Sequence, residues 1–174
     1  MTTSIETKVQ PTYELWSYSY AAREAQRNYK LEMTSTDLEQ LKKVAEKMEQ
    51  DDRNEGYEFK RPTFIHTQAA VGLYANYHMH TDVKPYEIIE LSKSGKTAKI
   101  RSMKSEIDPN WKPDIIPGGF AGHCVNNYGQ KHIITSDPDG HVRTIRRKKS
   151  GDWTYKGSRF VINESPIKFH DYNF

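Results

Sequence analysis

From residue 71 onward the chain is punctuated for short strands, and this punctuation limits its fold more than any other feature. "VGLYANYHMH" and "YEIIELS" are rich in aromatic and β-branched residues, with "TDVKP" between them. "KSGK" then divides "YEIIELS" from "TAKIRSM", and its glycine supplies the positive φ of a tight turn. Three consecutive antiparallel strands are predicted. "HIITS" and "HVRTIRRK" flank "DPDG" as a further hairpin, and "WTYKG" and "RFVIN" follow. Residues 106–131 read as loop: "DPNWKPDIIPGG" holds three prolines and two glycines. Short strands at such close spacing predict a small antiparallel β-barrel, SH3-like, or a strongly bent sheet.

The front of the chain has another rhythm. Residues 1–12 are polar and predict a flexible tail. Leu15, Tyr18, Ala22, Ala25 and Tyr29 then fall at steps of three and four, the spacing of one helix face. Thr36 and Glu39 have capping-box spacing, and Leu38, Leu41, Ala45 and Met48 form a second apolar stripe. Asn54 or Gly56 could close that helix in the left-handed region. The prediction is a helical hairpin, 13–31 and 36–52, within a module spanning 13–56. A β-rich domain spans 57–174, so the fold class is α+β.

Mean hydropathy is −0.89, and no stretch approaches the roughly 20 apolar residues of a membrane-spanning helix. One cysteine excludes an internal disulfide, and the N-terminus lacks the basic start and apolar run of a signal peptide. A soluble protein of a reducing cytoplasm is expected. Charge is uneven: residues 1–60 hold nine Lys or Arg against twelve Asp or Glu, and residues 61–174 hold seventeen against eleven.

Four constellations are candidates for function. The basic hairpin carries Arg143, Arg146, Arg147, Lys148 and Lys149, and the earlier hairpin carries Lys93, Lys96, Lys99 and Arg101. Neighbouring hairpins would make a cationic surface, with Trp111, Tyr128 and Trp153 as stacking rings, a combination suited to nucleic acid or a nucleotide. The plain alternative is a solvated sheet whose lysines protect its edges. Second, the aromatic segment with Tyr13, Trp16 and Tyr20 is a candidate surface for a host protein or for self-association. Third, His78 and His80 would share one face of a strand and are metal-ligand types. With Gly72 they echo the first cupin motif, and Pro117, Gly119, His123 and Asn127 loosely echo the second. Glu87 falls too late, however, and Trp111 stands where the second motif begins with glycine. No third ligand is fixed, so neither a metal nor another cofactor is expected. Fourth, Cys124 with His132 and Asn126 or Asn127 could form a nucleophile set, although adjacent His123 would point the other way on a strand. A lone cysteine is more often a small buried side chain.

The stretches "YHMHTDVKPYEIIELSKSGKTAKIR", "GGFAGHCVNNYGQKHIITSDPDGHVRTIRRKKSGDW" and "FHDYNF" together resemble a group of small tailed-bacteriophage proteins. The resemblance covers about residues 71–174 and implies an accessory protein of the infected cell's cytoplasm. It carries no implied chemistry. The expectation is a non-enzymatic protein that binds nucleic acid, a nucleotide or a host protein, in host takeover or counter-defence. The alternatives are a cupin-like metalloenzyme and a virion or assembly component, the latter predicting stable homo-oligomers.

Overall fold

The first predicted helix, 13–31, is not helical at either end. In the structure, a computed structural model describing residues 9–19, 27–55, 62–118 and 122–173, its two ends are strands. β1 (Tyr13–Tyr18) pairs antiparallel with β2 (Tyr29–Ser35), and later with β3 (Thr63–Thr67), in the order β2-β1-β3. The steps of three and four lost to the two-residue rhythm within 13–18. Leu15 is fully buried on one face, while Trp16 and Tyr18 lie partly exposed on the other. Aromatic side chains suit this pleated, half-buried setting. Tyr20, Ala22 and Ala25 lie outside the described residues.

The second predicted helix is present as α1 (Leu38–Asn54). Its cap is Asp37 rather than Thr36: the carboxylate accepts from Glu39 N at 2.9 Å and Gln40 N at 3.1 Å. Asn54 is its last helical residue and Glu55 caps it in the right-handed region; Gly56 lies outside the described residues. Leu38, Leu41, Ala45 and Met48 join Tyr13, Leu15, Met33 and Ile65 in one apolar cluster. The N-terminal unit is therefore a three-stranded sheet with a helix across one face, and its other face carries Glu14, Trp16, Tyr18, Tyr29, Phe64 and His66.

β4 (Tyr74–His78), β5 (Val83–Leu91) and β6 (Thr97–Ser102) are the three consecutive strands expected from the sequence. They join three later strands in a closed antiparallel barrel. An insertion intervenes: β7 (Lys104–Ile107), β8 (Ile115–Ile116), β9 (His123–Cys124), a single 3₁₀ turn at Asn127–Gly129, and β10 (His132–Thr135). β11 (Val142–Arg147), β12 (Trp153–Tyr155) and β13 (Ser158–Asn163) complete the ring, in the order β11-β12-β13-β4-β5-β6. Because β10 pairs with β7 and β11 with β6, "DPDG" links two different sheets and is not a hairpin turn. "Tyr155-Lys156-Gly157-Ser158" is a true two-residue hairpin, with φ of 47° at Lys156 and 83° at Gly157.

Period-two alternation turns Ala75, Tyr86, Ile88, Ala98, Ile100, Ile145, Trp153, Phe160 and Ile162 into the barrel. Closing the ring removes the unpaired sheet edges. Among the described residues no helix is long and apolar enough to cross a membrane.

The N-terminal sheet is fastened to the barrel through buried polar groups. Glu14 of β1 is 3 % exposed. Its Oε2 accepts from Arg147 Nη2 and from Trp16 Nε1, the latter at 3.0 Å. The Arg147 guanidinium also lies over the Trp16 ring, 5.4 Å from its centroid. His66 Nε2 lies 3.2 Å from Ser150 O, and a Cβ on Gly151 (φ 88°) would sit only 2.7 Å from His66 Cδ2. The Tyr13 hydroxyl donates to Glu164; that bond, with burial and the carboxylate's charge, pushes the phenol pKa up to about 12.

Removing one partner of a buried pair strands the other's charge. Arg147→Ala should therefore destabilise the protein by about 3 kcal/mol in urea unfolding. Glu14→Gln in the Arg147→Ala background should restore a large part of that loss, since the stranded charge is then gone.

Candidate functional site

The loop around Cys124 is a lock between the insertion and the C-terminal segment. Cys124 is buried, and its Sγ donates to Asn126 Oδ1 at 3.3 Å rather than facing a base. Its backbone N donates to Asn173 Oδ1 at 2.8 Å, while His123 is exposed. Buried Asn127 donates to Asp171 Oδ1 at 2.8 Å and accepts from Tyr172 N at 3.3 Å. Gln130 accepts from His170 N at 3.0 Å and donates to His170 O. Phe169 bridges Val83, and fully buried Asn76 accepts from Ile167 N at 2.8 Å. These amides hold the backbone at Ile167, His170 and Tyr172, and Asp82 accepts from Asp171 N at 2.9 Å, so residues 167–173 lie across the insertion and β5 like a docked peptide.

The histidines do not gather. β4 ends at His78, so His80 sits in the following turn and the predicted shared strand face does not form. His123 is in the insertion. Among the described residues no group of three or more His, Cys, Asp or Glu is arranged to hold a metal ion.

The basic hairpins are neighbours, since β6 pairs with β11. Their charges are divided among different tasks. Lys99 pairs with Glu90 at 2.7 Å and Arg101 with Glu87 at 2.8 Å, both carboxylates from β5. Arg147 is committed to Glu14, so it has no guanidinium to offer a phosphate. Lys96 and Lys149 are exposed at turns. Arg146 points outward, and Arg143 lies over Tyr86 and Tyr155, 5.7 and 5.6 Å from the ring centroids. Of the stacking candidates, Trp153 fills the barrel core and Trp111 is buried against Tyr172. Tyr128 of the insertion, 90 % exposed, stacks on Phe169 of the C-terminal segment. The candidate interface rings are similarly divided: Tyr13 is tied to Glu164, Trp16 lies under Arg147, and Tyr20 is outside the described residues.

Rings and cations do meet in the cleft between the two units, about 670 Å³ in volume. One wall is aromatic. Tyr18 lies 5.5 Å from Tyr29 and 6.0 Å from Phe64, and Phe64 lies 4.9 Å from His66, centroid to centroid. Cross-strand pairing places Tyr18 opposite Tyr29 and makes this wall. The other wall is the outer surface of β12 and β13, with Thr154, Arg159, Val161 and Asn163. Lys148, Arg27 and Lys42 of α1, the last paired with Glu39 at 2.6 Å, add positive charge, and Asp152 is the carboxylate among the described residues that line the cleft. Arg27 lies 4.7 Å over the Tyr18 ring, and its Nε is buried with no hydrogen-bond partner among the described residues. Reading 13–31 as a helix hid this wall; the even-numbered pair Trp16 and Tyr18 was the available signal.

Burial lowers the pKa of His66, and nearby Arg147 and Arg159 act in the same direction, against Asp152 and the Ser150 carbonyl. Burial and Arg159 also lower that of His78. Both rings are neutral near pH 7, so the cleft's positive charge comes from its lysines and arginines.

No family model, curated protein or solved structure matches the chain.

A folded pKa below the ordinary 6.5 means that the native state binds fewer protons than the unfolded chain as acid is added. The histidine contribution is intact above pH 6.5 and lost as pH falls through and below it. Urea midpoints should therefore drop between pH 7.5 and pH 5.5, and His66→Gln should flatten part of that dependence.

Proposed function

We propose that this protein is a binding protein for a nucleotide or nucleic acid, and that the cleft between the N-terminal sheet and the barrel is its site. The observation that carries the reading is the pairing of an aromatic wall, Tyr18, Tyr29 and Phe64, with Arg27, Lys42, Lys148 and Arg159 around the same space. A planar base gains by stacking on such rings, and its phosphates gain from the cations. The unpartnered Arg27 Nε is a donor that an anionic ligand would satisfy. Nothing in the chain resembles a Gly-rich phosphate loop, so side chains rather than backbone N–H groups do the holding. The phage-like C-terminal pattern is the reason for assigning this binding to an accessory role in an infected cell.

The test is titration of the purified protein with ATP and with short homopolymers at low salt, followed by intrinsic fluorescence. Tyr29→Ala and Phe64→Ala should each weaken binding by about tenfold or more, the usual effect of losing one stacking ring. Arg159→Glu should weaken it too, while Lys149→Glu, outside the cleft, should not. Unchanged fluorescence with every nucleotide and homopolymer would remove the proposal.

A protein partner is the second reading, favoured by the apolar side chains that the insertion exposes: Ile115, Ile116, Val125 and Ile133, beside Tyr128. A second copy of this chain is the simplest such partner. Sedimentation velocity should then show a dimer that Ile115→Lys with Ile116→Lys converts to monomer; a monomer at all concentrations would dismiss self-association.

A further inference from the structure

We infer that the ligand is a single strand of several nucleotides and that its backbone crosses the outer face of the barrel; this rests on the binding role proposed for the cleft. The cleft does not end at β13. Arg146 on β11 pairs in register with Thr154 on β12, Thr154 with Arg159 on β13, and Arg159 with His78 on β4. Register partners project from the same side of a sheet. Their strand neighbours Ile145, Trp153, Phe160 and Tyr77 belong to the core or pack against it, so this row faces outward.

Adjacent strands lie about 4.8 Å apart, which puts Arg146 and Arg159 roughly 10 Å apart across the hydroxyl of Thr154. Two donors of positive charge with a neutral hydroxyl between them suit successive phosphates of an extended strand. Arg146 has no ion-pair partner among the described residues. Arg159 is only loosely paired, 3.6 Å from Asp152, and its side chain is 63 % exposed.

Thr154 also links two concavities. On one side it lines the aromatic cleft, and on the other a groove of about 570 Å³ lined by His141, Arg143, Arg146, Tyr155 and Lys156. The groove is richer in cations than in rings: Arg143 lies over its one tyrosine, Tyr155, at 5.6 Å and Lys156 over the same ring at 5.5 Å. One nucleotide fills the cleft and leaves the groove empty. A strand fills both and lays its phosphates over the saddle between them. Stacking on rings recessed in a cleft requires bases free of a complementary strand, which excludes a duplex.

The test compares thymidine monophosphate with thymidine homopolymers of two, four and eight nucleotides, as DNA and as RNA, by fluorescence and by the salt dependence of affinity. The expected result is affinity rising at least tenfold from one nucleotide to four. Arg146→Ala should erase much of that gain while leaving the monophosphate's affinity unchanged. It should also reduce the slope of log K against log salt by about 0.7, one phosphate contact to a single strand. Lys149→Ala makes the same change in net charge outside both concavities and controls for it. Circular dichroism of each variant checks the fold. A monophosphate that binds as tightly as the eight-nucleotide strand, or an Arg146→Ala variant that behaves like Lys149→Ala, overturns the inference and leaves the cleft's nucleotide role standing. Binding of none of these probes overturns both.

Discussion

The contact between Glu14 and Arg147 organises the molecule. A carboxylate 3 % exposed on a strand face is tolerable only with a cation delivered to it, and the cation comes from β11 of the barrel. The pair fixes which face of the N-terminal sheet looks at the barrel. Because Trp16 donates to the same carboxylate and lies beneath the guanidinium, it also fixes the sheet's position along that face. Tyr13 with Glu164 and His66 with Ser150 extend the seam on either side. Everything proposed about binding depends on this seam, since the cleft is the space left between the two units.

The arginine-rich strand shows how one sequence run is divided by a two-residue rhythm. Ile145 is buried in the barrel core, Arg143 lies over Tyr86 and Tyr155, and Arg147 reaches away from the barrel to Glu14 of the N-terminal sheet. Arg146 projects outward onto the open surface. Five clustered cations are therefore not one patch. They serve a ring contact, an internal ion pair, a rim and an exposed turn, and only part of the cluster remains for a ligand.

The barrel was legible because its signals are local: alternation, a Gly-bearing turn at 92–97, and the Lys156-Gly157 hairpin. Helix α1 was legible for the same reason, with its stripe and an acidic residue near its start. The segment 13–18 was not, because Leu15 and Tyr18 satisfy a helical step as well as an aromatic strand does. Which rhythm wins is decided by β3, which arrives some fifty residues later. The candidate site suffered the same fate. Lys148 and Arg159 lie in the basic half, but the rings they face belong to the segment read as helix. Asn127, a candidate for a nucleophile set with Cys124, and Gln130 hold the C-terminal segment instead. Their partners, residues 167–173, are about forty positions away, and side-chain reading of a distant backbone leaves no periodic trace.

The Glu14–Arg147 pair spans 133 positions, and the Tyr13–Glu164 bond spans 151. During synthesis the N-terminal sheet and its helix emerge long before β11. Until then the sheet presents to solvent a face of Trp16, Tyr18, Tyr29 and Phe64 with an acid at its centre. A newly made chain is therefore most prone to misassociation at the very surface that later forms the cleft.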